Sequence, residues 1–152
     1  MTLQEMARLT REAISDSRFR DYKNGIITGF YVQSAMGYIQ AIRHFIEIHV
    51  RIVNEPEELL VSPLRMLWEI ELVGYTSGDC DDIAMLIAAF FGAVGIEARF
   101  KAIMKTSEGW YQHVFTEYRL QTHKHMQIWR SCDPSAAAIP VYDSGDFLIE
   151  NV

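Results

Sequence analysis

Along the first half of the chain apolar residues recur at helical spacing; along much of the second half they fall into short extended runs. From Thr2 to about Ser17, Leu3, Met6, Leu9 and Ala13 share one side of a predicted helix. Asn24-Gly25 predicts a turn. A second helix is expected from Ser34 to Val53, with Tyr38, Ile42, Phe45, Ile46 and His49 on one side. Its end is open, because Ile46 to Val53 alternates as a strand would. Asn54-Glu55-Pro56 breaks the pattern, and Ser62-Pro63 opens a short helix to about Ile70, with proline at the first helical position.

Further on, Asp79 reads as an N-cap and Asp82, three residues later, as its reciprocal partner in a capping box. Ile83, Leu86, Ile87, Phe90, Phe91 and Val94 then give a strongly buried helix that Gly95 terminates. Three strands are predicted after it, over 97–103, 111–119 and 126–132, joined by hairpins at 105–110 and 120–125. Helices followed by an antiparallel sheet make an α+β fold, and no linker divides the 152 residues into more than a single domain.

Composition narrows the functional classes. Hydrophobic residues at 49% and charged residues at 22% are the mix of an ordinary globular protein. A net charge of −6 without a Lys/Arg run argues against nucleic acid as a partner. The apolar run from Ile83 to Val94 falls short of the roughly 20 residues that span a bilayer, so no membrane role is expected. The opening residues carry charge throughout and do not read as an export signal, which makes a cytoplasmic location the expectation. In that setting the 2 cysteines, Cys80 and Cys132, are expected as free thiols.

Cys80 falls in the first turn of the capped, buried helix. The positive end of the helix dipole there favours thiolate, and unpaired N–H groups at the helix start can face an oxyanion. Gly78 is expected to turn the backbone sharply and leave room for a substrate. Asp79, Asp81 and Asp82 oppose the thiolate, so a cationic neighbour is needed. His113, in the second predicted strand, can supply it. Asp133, at the rim of the next strand before Pro134, can orient the imidazole if the two strands pair.

Taken together, Gly78-Asp79-Cys80-Asp81-Asp82, Gly95-Ile96-Glu97-Ala98-Arg99, Gln112-His113-Val114 and Trp129 to Asp133-Pro134 resemble the transglutaminase-like superfamily. The family pattern is G-(D/E)-C-(D/E)-(D/E), G-(I/V)-x-A-R, H-(A/V) and W-x-x-x-D-P, and all four elements occur in order over residues 62–135. Compact relatives of this kind are often bacterial or phage proteins. The resemblance implies a papain-like core with a cysteine helix against an antiparallel sheet. It also implies a triad of Cys80 as nucleophile, His113 as general base and acid, and Asp133 as third member. Papain-like enzymes usually add a side-chain oxyanion donor. Trp68 and Tyr75 are candidates, with the Cys80 backbone N–H as the other donor, and Trp110 is a candidate for the substrate groove.

The remaining chemistry-bearing residues read as structural. Cys132 points to the opposite strand face from Asp133 and is expected in the core. His123 and His125 lack a third ligand at convincing spacing, His44 and His49 do not share a face closely enough to chelate, and the aspartates lack a calcium-loop pattern. No metal and no cofactor are expected, and Trp129 is expected to pack. The triad predicts a thioester formed on a peptide or carboxamide substrate. Hydrolysis by a cysteine protease or deamidase is favoured, protein crosslinking comes second, and a non-catalytic binding or assembly module is the rival class.

Overall fold

The computed structural model describes residues 3–30, 34–54, 59–104, 111–120, 128–134 and 147–152. Three helices come first: α1 (Leu3–Ser15), α2 (Ser17–Phe30) and α3 (Ala35–His49). A short strand β1 (Val50–Ile52), helix α4 (Pro63–Val73) and strand β2 (Thr76–Gly78) lead into helix α5 (Cys80–Ala93). Strands β3 (Glu97–Met104), β4 (Tyr111–Arg119), β5 (Arg130–Cys132) and β6 (Phe147–Asn151) complete the order, and the fold is α+β. Among the described residues no helix is long and apolar enough to cross a membrane.

The α1 helix buries Met6, Ala7, Thr10 and Ala13, and the Thr10 hydroxyl donates to the Met6 carbonyl at 2.7 Å. Asp16 then accepts from the Arg18 N–H at 2.8 Å and starts α2, so the first predicted helix stops two residues early. The predicted turn at Asn24-Gly25 is corrected, since α2 runs straight through it. Phe19 is fully buried with its ring 4.9 Å from Phe90, and Tyr22 meets Phe45 edge-on at 6.0 Å. Those contacts outweigh an exposed helical glycine, which costs about 1 kcal/mol.

Ser34 caps α3, its side chain accepting from Gly37 N–H at 3.0 Å. The ambiguous stretch after Ile46 proves to be both things: helix to His49, then strand from Val50. β1 pairs in parallel with β2, Val50 opposite Thr76 and Ile52 opposite Gly78, an element the sequence pattern did not predict. Ser62 caps α4 as expected, and that helix extends to Val73 before Gly74, at φ 88°, closes it in the left-handed region.

The expected capping box of α5 is present, and Ile83 to Phe91 are all buried. Gly95 follows with φ 76°. The main sheet is antiparallel in the order β5-β4-β3-β6. Ala98, Phe100, Ala102, Val114, Thr116, Tyr118 and Cys132 are its buried, alternating positions, paired across the strands. The Thr116 hydroxyl ties that face to α5 by donating to the Ala84 carbonyl at 2.7 Å. Cys132 is a free, buried thiol, as expected. β6 was not anticipated; its residues are mostly exposed and lack a clean alternation.

Candidate active site

The frame around Cys80 is built from short-range bonds. The Gly78 carbonyl accepts from Val53 N–H at 3.1 Å, so the β1–β2 pair fixes the approach to α5. On β2 the Thr76 hydroxyl donates to Glu69 of α4 at 2.6 Å. The Asp79 carboxylate accepts from the N–H groups of Asp81 at 3.1 Å and Asp82 at 3.4 Å. In return Asp82 accepts from Asp79 N–H at 3.2 Å. Ile83 N–H binds the Asp79 carbonyl at 3.1 Å. Of the first-turn donors, this leaves the N–H of Cys80 itself outside the cap, with no hydrogen bond among the described residues.

Gly78 serves a different purpose from the one expected. A Cβ at this position would stand 2.8 Å from Asp82 Cβ and 3.2 Å from Met66 Cε. The glycine is there for close packing against α5 and α4. It does not turn in the left-handed region, where, among the described residues, the positive-φ glycines are Gly74 and Gly95.

Cys80 is half-buried, and its thiol donates to Asp81 Oδ1 at 3.5 Å. The Val114 backbone N–H, near the sulfur, favours thiolate, but burial, Asp81 and Asp79 work against it. Burial is the largest influence, and the thiol is pushed up to about 12. The expectation of a resting thiolate is therefore corrected: desolvation and two acidic neighbours prevail at this helix start.

His113 and Asp133 come together as the pairing of β4 with β5 predicts. Nε2 of His113 and Oδ2 of Asp133 are 2.5 Å apart, with both side chains about nine-tenths buried. The imidazole also stacks on Phe115 at 5.7 Å. Strand alternation sets His113 with Phe115 and Glu117, while Val114, Thr116 and Tyr118 face the core. Cys80 thus meets β4 at the backbone of the residue next to His113. Among the described residues no hydrogen bond or ion pair joins the thiol to the imidazole.

The side-chain oxyanion candidates are not joined to this cluster by any described hydrogen bond. Trp68 is 56% exposed on α4. Tyr75 lies beneath the Arg51 guanidinium, 3.8 Å from its ring centre. Among the described residues neither has a hydrogen bond or ring contact to Cys80, His113 or Asp133. Trp110, His123 and His125 lie outside the described residues. Trp129 packs as expected, with Arg99 at 4.0 Å and Arg119 at 4.8 Å from its ring. His44 is exposed, and His49 Nδ1 lies 2.8 Å from the Gly74 carbonyl, so each has a separate setting.

Ligand atoms of Asp79, Cys80 and Asp81 lie within 4.8 Å of one another. Capping bonds and the thiol contact explain that cluster. Two contributors were missed by the sequence reading, the N–H groups of Val114 and Val61. Both are backbone donors, which no side-chain motif can signal. The Val61 N–H donates to Asp82 Oδ1 at 2.7 Å.

No family model, no curated protein and no solved structure matches the chain.

Proposed function

We propose that this protein is a thiol-dependent acyl-transfer enzyme of the transglutaminase-like kind, hydrolysing a peptide or carboxamide bond through a thioester on Cys80. The observation that carries the reading is the His113–Asp133 pair at 2.5 Å, on the residue next to Val114, whose backbone N–H acts on the Cys80 thiol. The capped start of α5 supports it, with the Cys80 N–H left as an oxyanion donor.

The chemistry is general-base catalysis from a neutral thiol. Nε2 of His113 faces Asp133, so Nδ1 is the nitrogen that receives the thiol proton as sulfur attacks the carbonyl carbon. Thiol and imidazole close on one another across the Val114 backbone when substrate is bound; catalytic hydrogen bonds often tighten only in the complex. The C–S bond forms and the carbonyl π electrons move to oxygen, which Cys80 N–H stabilises. Collapse breaks the C–N bond, and His113 returns the proton to the departing amine or ammonia. Water, deprotonated by His113, then cleaves the thioester to a carboxylic acid and restores the thiol. Asp133 stabilises the imidazolium at both stages.

An unfolded protein mixture as substrate tests this. Release of ammonia or of new amino termini is expected from the wild type and from Cys132→Ala, and from neither Cys80→Ala nor His113→Ala. Turnover persisting in Cys80→Ala would overturn the reading. Incorporation of a fluorescent primary amine separates crosslinking from hydrolysis, since the two share every step up to the thioester.

A further inference from the structure

Asp82 joins three segments of chain. It belongs to the first turn of α5, accepts from Val61 N–H at 2.7 Å at the entry to α4, and accepts from Asp79 N–H at 3.2 Å at the end of β2. Its side chain has 0% exposure. The charges facing it, Asp79 and Asp81, are both acidic. From β2 and α4 it is met by Gly78 and by the apolar Met66. Among the described residues no base pairs with it. Among the described residues two N–H donors are the compensation for a buried charge, and the 59–61 segment that covers it is at most half-buried.

We propose that Asp82 is a proton-operated latch: protonated, it holds the Val61 segment against the start of α5; ionised, it releases that segment to water and loosens the frame in which Cys80 stands. Opening the Val61 segment is the shortest route by which an ionised carboxylate there regains hydration. Burial, reinforced by Asp79 and Asp81, pushes the closed-state carboxyl up to about 7. In the open, hydrated segment it returns to about 3.9. The closed form is therefore favoured below the lower value, and its advantage is lost as pH rises to the upper one. Between them, each pH unit raises the open population about tenfold; above the upper value the population levels off.

Amide hydrogen exchange at Val61 in the full chain reads this directly. Intrinsic exchange rises about tenfold per pH unit, and opening adds another tenfold. The logarithm of the rate against pH is expected to have a slope near two from about pH 4.5 to 6.5, then a slope of one above about pH 7.5. Asp82→Asn, which keeps an oxygen for Val61 N–H but cannot ionise, is expected to give a slope of one throughout. Asp81→Asn removes a neighbouring charge and is expected to move the break to lower pH, which serves if Asp82→Asn does not fold. A slope of one throughout in the wild type, or a slope of two surviving in Asp82→Asn, sinks the proposal. The link to reactivity rests on the proposed role of Cys80, but the Val61 readout does not. An inert Cys80 with a broken Val61 profile removes the catalytic reading and leaves the latch, and an unbroken profile with an active Cys80 does the reverse.

Discussion

Cys80 stands where opposed influences on a thiol meet. The helix start and the Val114 N–H stabilise negative sulfur, whereas burial and the carboxylates of Asp81 and Asp79 resist it. The resisting side prevails, so the thiol is neutral at rest, and in the proposed mechanism its reactivity depends on His113. This leads to a prediction about labelling: iodoacetamide modification of Cys80 is expected to be slow at pH 8 and to accelerate towards strongly alkaline pH. Fast labelling below pH 7, measured by mass spectrometry, would mean that a preformed thiolate exists after all. Gly78 makes a second test, of packing. In Gly78→Ala the new methyl meets Asp82 Cβ at 2.8 Å, backbone-anchored and unable to swing away. A loss of about 1–3 kcal/mol is expected in urea unfolding. An unchanged midpoint would show that the approach of β2 to α5 is looser than described.

The α5 helix is the element whose sequence carried most of its structure, because cap, capping-box partner, apolar face and terminating glycine all lie within one short stretch. The His113–Asp133 pair was legible for a related reason: two strands consecutive in sequence and paired in the sheet restrict where their ends can meet. Partners remote in sequence were not legible. The pairing of β1 with β2 depends on residues far apart, in segments too short to display a period. The continuation of α2 through Asn24-Gly25 was hidden because a local turn signal was overruled by Phe19 packing on Phe90. That correction can be tested at Gly25, where a Cβ would meet nothing within 4 Å and φ is not positive. Gly25→Ala is expected to stabilise the protein by about 0.5–1 kcal/mol. A loss of stability there would restore the turn.

For the molecule as a whole, an excess of acidic over basic residues, 20 against 14, coexists with a buried carboxyl group at the start of α5 that resists ionisation. Asp82 has its folded value raised, so its contribution to stability is complete below about pH 4 and is lost as pH rises to about 7. The magnitude is on the order of a few kcal/mol, a large share of the usual 5–15 kcal/mol. Asp16 has the opposite sign: Arg18 holds it down to about 2, so its contribution is lost as pH falls through that value. It is a surface pair, screened by solvent. Urea midpoints are expected to fall between pH 4.5 and 7 in the wild type and to flatten in Asp82→Asn; parallel curves would contradict the assignment. None of this was visible in the sequence, where Asp82 reads only as a capping residue, because burial is a property of the assembled core. The catalytic reading is tested most directly by acylation. The protein is mixed with an activated acyl ester, and the adduct is located by peptide mass spectrometry in the wild type, His113→Ala and Cys132→Ala. One acyl group on Cys80 in the wild type and in Cys132→Ala, with the rate falling by about two orders of magnitude or more in His113→Ala, is the expected result. Equal acylation with and without His113, or none on Cys80, would contradict a His113-driven nucleophile and leave the fold as a binding module.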